Sequence, residues 1–126
     1  MVLDAASDPG NDAHMLDHVI MFRADNLDAG TEAELMRQLG RLKDVPGVLA
    51  FALGKNFGDR SRGFDYCLRV TFADQDALDV YQDHPLHLEV VAYNRQVTSE
   101  HICVDFLWEP AGDTGDTGDT GDTAGA

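Results

Sequence analysis

The spacing of apolar positions along this chain changes several times, and each change marks an element. Leu16, His18, Ile20 and Phe22 alternate with Asp17, Val19 and Met21, the two-residue period of a strand. Both sets are largely apolar, so the strand is expected to be covered on two sides. Leu35, Leu39 and Leu42 then fall at i, i+4 and i+7, one stripe of an amphipathic helix. Thr31 and Glu34 stand before it at capping-box spacing, and Val45-Pro46-Gly47 stops it. Alternation returns over residues 48–55 and 64–72, with a polar loop between them. Asp74 predicts the N-cap of a second helix carrying Ala77, Leu78 and Tyr81 on one stripe. Pro85 breaks that helix and starts another, which carries His87, Leu88, Val91 and Ala92. A last strand over residues 98–108 sets Ile102, Val104, Phe106 and Trp108 on one face and His101, Cys103, Asp105 and Leu107 on the other.

The resulting order, β-α-β-β-α-β with a broken second helix, predicts an α+β, ferredoxin-like domain. In that topology helices cover only one face of the sheet. Val104, Phe106 and Trp108 would be wet in a single chain, and exposed apolar surface of that size marks an association face. A second copy stacked sheet on sheet is the economical solution, so a homodimer is expected.

The flanks carry no such pattern. Residues 1–14 read as a flexible leader, residues 15–109 as the domain, and residues 110–126 as a disordered tail. Gly-Asp-Thr occurs four times between Gly112 and Thr123. A calcium roll needs a nine-residue period with an apolar residue in each turn, which a three-residue period does not offer. A solvated tail is the expectation.

Charge excludes some partners. The formal net charge is −14 over 126 residues. Seven of the acids lie in the leader and tail, and setting them aside leaves 16 acids against nine bases. Such a surface repels phosphate backbones and anionic lipid, so neither nucleic acid nor membrane is expected as a partner. No apolar run is long enough for a transmembrane helix, and the N-terminus has neither the basic nor the apolar region of a secretory signal. Cys67 and Cys103 are too few for a disulfide scaffold, which points to a reduced, cytoplasmic protein with both as small buried residues.

The chemistry-bearing stretch is Tyr81-Gln82-Asp83-His84-Pro85-Leu86-His87, a phenol and two imidazoles at a helix break. A neutral imidazole can remove a proton α to a carbonyl, and a phenol can donate to a carbonyl oxygen that gains charge. Tyr81 fits either that role or a core tyrosine with its hydroxyl at the rim; His87 fits either a base or a histidine bonding a backbone carbonyl. His84, before Pro85, suits capping or bracing of the junction. The topology sets the first and last strands side by side, which brings His18 near Asp105. Asp105 is the expected orienter of His87, with His18 an added polar contact. Ile20 and Phe22 on the first strand, with Leu88 and Val91 on the last helix, are the expected walls of a small-molecule pocket. His101 is expected to be exposed or near the dimer surface. Asp83, His84 and His87 have no specific zinc spacing, so no metal is expected. No phosphate-binding glycine loop is present either, and no cofactor is expected.

In this set the chain resembles the stress-responsive α/β-barrel (Dabb) family. The resemblance runs in order through Asp17 to Phe22, Val45 to Val48, Arg62 to Tyr66, Val70 to Phe72, Tyr81 to His87 and Val104 to Phe106. It implies a dimeric α+β barrel. The family includes polyketide cyclases of the olivetolic acid cyclase type, which close a ring by C2–C7 aldol condensation with the carboxyl group retained. By that resemblance the catalytic tyrosine and histidine fall on Tyr81 and His87, and the supporting histidine and aspartate on His18 and Asp105. Two other readings stand beside a cyclase: a non-catalytic, stress-responsive dimer binding a hydrophobic metabolite, and an enzyme like the antibiotic-biosynthesis monooxygenases, which share the barrel.

Overall fold

A computed structural model describes residues 14–110. The expected leader, apart from His14, and the Gly-Asp-Thr tail lie outside the described residues. Four strands and three helices follow one another as β1 (Met15–Arg23), α1 (Ala29–Gly40), β2 (Ala50–Lys55), β3 (Tyr66–Phe72), α2 (Gln75–Asp83), α3 (Pro85–Val97) and β4 (Glu100–Trp108). A 3-10 turn, Arg41–Asp44, extends α1 and brings Leu42 into the core. The strands form one antiparallel sheet in the order β2-β3-β1-β4, the ferredoxin-like arrangement.

The two-residue period sorts the sheet into two faces. Leu16, Phe22, Leu68, Val70 and Phe72 point to the helices and are buried with Leu35, Leu39, Leu78, Tyr81 and Val90. Burying each such side chain contributes about 2 kcal/mol, so this layer supplies most of the driving force. The opposite face carries Ile102, Val104, Phe106 and Trp108 of β4, all substantially exposed. Asp17 lies on that face yet is buried, because the Thr71 hydroxyl donates to its Oδ1 across the β1–β3 pair at 2.6 Å.

Three expectations are corrected. The N-cap of α1 is Asp28, not Thr31: the Thr31 amide donates to Asp28 Oδ1 at 2.7 Å, and Glu34 is engaged instead by Arg37 and Gln38. The inward stripe of α3 is His87, Val90, Val91 and Asn94, so Leu88 lies outside it, 55% exposed. Cys67 and Cys103 are both exposed rather than buried, because one lies on the uncovered outer face and the other on β4, whose residues are all exposed.

Candidate functional site

The helix break builds the first half of the site. Pro85 holds His84 out of helical geometry, at φ −66° and ψ 137°. His84 then acts as N-cap of α3, its Nδ1 accepting from the Leu86 amide at 3.1 Å. Diverting that amide leaves the Gln82 carbonyl without its ordinary i+4 partner. The His87 ring takes the place: its Nδ1 lies 3.0 Å from Gln82 O. A carbonyl only accepts, so Nδ1 carries the proton and Nε2 keeps the lone pair. Burial lowers the His87 pKa below its ordinary 6.5, and this outweighs the opposing pull of the Gln82 carbonyl. The ring is thus a neutral imidazole at neutral pH, with a free basic nitrogen.

Tyr81, one turn before the break, is fully buried among Phe72, His18 and His87, its ring centroid 4.6 Å from that of His87. Its hydroxyl is buried with no hydrogen-bond partner. Desolvation raises its pKa well above the ordinary 10, so it stays a phenol and a donor.

The sheet supplies the other half. His18 and Asp105 are directly opposed in the β1–β4 register, with His18 Nδ1 at 2.5 Å from Asp105 Oδ1. The histidine side chain is nearly buried and the carboxylate is 41% exposed. Asp105 therefore orients His18 and not His87, a correction with a simple cause: the register makes the strand pair adjacent, whereas His87 is already held by its own helix. Cys103, two residues before Asp105 on the same face, places Sγ 3.3 Å from His18 Nδ1. Although the residue is largely exposed, partial desolvation of its Sγ at the cavity wall and the Asp105 charge push its thiol up to about 11, so it stays protonated.

Tyr81, His87, His18 and Cys103 line a cavity of about 210 Å³ between α3 and the β1–β4 half of the sheet, and Asp105 stands behind His18 outside the lining. Of the residues read as pocket walls, Ile20, Phe22 and Val91 line this cavity and Leu88 does not. His101 is exposed, as expected, but also lines the cavity, together with Asn94 and Arg95, which pattern reading missed. The signal available for Asn94 was its place seven residues after His87.

Among the described residues, His18, Cys103 and Asp105 form a group whose ligand atoms lie within 4.8 Å of one another. The 2.5 Å between nitrogen and carboxylate oxygen is a hydrogen-bond separation. Two ligands on one zinc-like ion, with bonds of about 2 Å in tetrahedral geometry, stand roughly 3 Å apart. The arrangement fits a shared proton. His84 Nδ1 and His87 Nδ1 are likewise committed, to Leu86 N and Gln82 O.

The family model of the stress responsive A/B barrel domain, Dabb, matches residues 16–107. The chain belongs to this family. No curated protein matches it. Among solved structures, a dimeric ferredoxin-like protein of unknown function from Jannaschia sp. is 26% identical, with a TM-score of 0.62, covering 73% of this chain and 97% of its own. The hydroxynitrile lyase of Passiflora edulis is 16% identical at a TM-score of 0.70, covering 77% and 95%. SnoaB, a cofactor-independent oxygenase from Streptomyces nogalater, is 18% identical at 0.54, covering 76% and 92%. These last two likenesses are of fold. No helix among the described residues is long and apolar enough to cross a membrane.

Proposed function

We propose that this Dabb chain is a small-molecule enzyme of the polyketide-cyclase type, closing a poly-β-keto chain by an intramolecular aldol reaction. The observation that carries the reading is the His87–Tyr81 pair: a neutral imidazole with a free Nε2, beside a buried phenol whose hydroxyl has no protein partner. Nε2 removes a proton from a methylene between two carbonyls. The carbanion attacks a ketone further along the chain, forming the new C–C bond, and the ketone oxygen takes up a proton. The Tyr81 hydroxyl donates to the carbonyl oxygen that gains charge, in a pocket where such a bond is strong. Loss of water then gives the conjugated ring. His18, held by Asp105, adds a second oriented imidazole to the same cavity from the sheet side. The apolar walls fold the chain so that the reacting carbons meet. Every proton movement is served by side chains, so the reaction asks for no metal or redox group.

The same pair suits the cleavage or formation of other bonds next to a carbonyl, and the Passiflora relative is named as a hydroxynitrile lyase. The apolar walls also suit a binding protein that holds a hydrophobic metabolite without turnover. An oxygenase reading rests on the SnoaB fold alone. We further read the chain as a homodimer joined through the outer sheet face, on the exposed Ile102, Val104, Phe106 and Trp108 and the dimeric Jannaschia relative.

The test is product analysis with a poly-β-keto chain generated in situ from its thioester. The protein should divert products from lactones toward cyclised aromatic acids, and His87→Ala and Tyr81→Phe should lose the diversion. Saturable binding with no change in products would leave the metabolite-binding reading. Oxygen consumed with a phenolic substrate would favour the oxygenase.

A further inference from the structure

The cavity has a second polar end. His87, Val90, Val91, Asn94 and Arg95 share one face of α3 at helical spacing, and all line it. Seven residues of helix set Asn94 about 10 Å beyond His87. The sheet runs the same way: Asp105 pairs with His18 at one end of the cavity, Cys103 with Ile20 in the middle, and His101 with Phe22 at the other end. The α3–β4 connection brings Asn94, Arg95 and His101 to that far end.

Two observations mark this end as built to receive something. Asn94 is 93% buried, yet its Oδ1 has no hydrogen-bond partner. An orphaned buried amide oxygen is costly, and the side chain that carries it lines the cavity, the nearest source of a partner. The neighbouring Arg95 forms no hydrogen bond or ion pair with any described residue, although it lines the cavity of a strongly acidic chain. Its guanidinium carries five donors and suits a carboxylate.

We infer that Asn94 and Arg95, with His101 beside them, form a substrate-end subsite that takes a hydroxyl and a free carboxylate, so that the ligand is an elongated hydroxy or enol acid. A hydroxyl donates to Asn94 Oδ1, and the adjoining carboxylate meets Arg95 at the mouth. The assignment rests on the acid–base reading only for which end reacts; the subsite itself stands on the orphaned amide and the unpaired cation. It adds to that reading that the acid is bound free: a reaction that hydrolyses an acyl thioester must supply it.

Calorimetric titration with 3-hydroxyoctanoate, octanoate and methyl 3-hydroxyoctanoate tests this. The hydroxy acid should bind one per chain and most tightly of the three. Asn94→Leu should weaken it about tenfold, the worth of one buried hydrogen bond, and leave octanoate unchanged. Arg95→Gln should weaken both acids a few-fold, as suits an exposed charge, and leave the ester unchanged. Asn94→Leu removes an orphaned polar atom, so its melting temperature should equal or exceed that of the parent. A lower melting temperature with undiminished binding of the hydroxy acid makes Asn94 a structural residue and overturns the subsite, as does equal or absent binding of all three ligands. The predicted binding pattern without cyclisation keeps the subsite and removes the cyclase; cyclisation without discrimination between acid and ester does the reverse.

Discussion

The Gln82 carbonyl and His87 Nδ1 lie 3.0 Å apart across the break between α2 and α3. One proline thus does two things: it ends a helix, and it frees the carbonyl that fixes the tautomer of the next helix's histidine. A backbone orienter carries no charge, so it raises the ring's basicity less than a carboxylate would. Burial then dominates and lowers the His87 pKa.

That gives a pH prediction. Activity requires neutral His87, so the rate should rise with pH through a value below 6.5 and level off by neutral pH. The stability term has the same direction. The folded-state pKa lies below the unfolded one, so the unfolded chain binds more protons in acid. The His87 contribution is fully present above about 6.5 and is lost as pH falls through the folded-state value. Titration of the ring C–H resonances by NMR checks both. A midpoint at or above 6.5 contradicts the burial argument. His87→Ala should reduce turnover by about 10²–10⁴.

Much of this fold is legible in the sequence. The strands showed because period-two alternation is hard to mimic, and β1 to β4 lie where Leu16–Phe22, Phe51–Leu53, Tyr66–Phe72 and Ile102–Trp108 alternate. Asp74 and Pro85 are local signals and act locally, as N-cap and first helical residue. The α3 face was harder. Apolar Leu88 and Ala92 suggested one stripe, while the true one ends on a polar residue, Asn94. The partner of Asp105 depended on strand register, which a pattern alone leaves open by two residues in either direction.

Tyr81 offers a test in which stability and activity move apart. Its hydroxyl is buried without a partner, at a cost of about 1–3 kcal/mol. Tyr81→Phe should therefore melt no lower than the parent, and up to several degrees higher. The same variant should lose about 10²–10³ in turnover, as a removed oxyanion donor does. Thermal melts and product assays on one preparation decide it. A lower melting temperature means that the hydroxyl has a partner in the folded protein.

The His18–Asp105 pair predicts a smaller, readable effect. Asp105 is partly exposed and acts through His18. Asp105→Asn removes the carboxylate acceptor while keeping the shape, so His18 should lose its preference for the Nδ1-protonated form. Nitrogen-15 shifts of the imidazole report that directly. A loss of about tenfold in turnover is expected, well below that of His87→Ala. An unchanged His18 tautomer in the variant removes Asp105 from the positioning role.

The α1 cap is a control on the local structure. Asp28 Oδ1 accepts from the Thr31 amide, and that bond also lowers the Asp28 pKa. Asp28→Ala should lower the urea denaturation midpoint, and Thr31→Ala should lower it less, because the Thr31 amide that donates to Asp28 Oδ1 survives that substitution. Equal losses would restore Thr31 as the cap.

The outer sheet face yields the last prediction. Val104 is 52% exposed and Phe106 44%, side by side with β1 residues Val19 and Asp17 on a face that no helix covers. Water on that surface is unfavourable by about 25 cal/mol per Å², and a second copy of the same face removes it. Val104→Glu places a carboxylate on that face, where covering it with a second copy would strip its water. Sedimentation velocity at micromolar concentration should show a dimer for the parent and a monomer for the variant. The cavity lies on the opposite face, so the monomer should still fold, with an unchanged far-ultraviolet spectrum. A parent that sediments as a compact monomer removes the homodimer and leaves the exposed face to another partner.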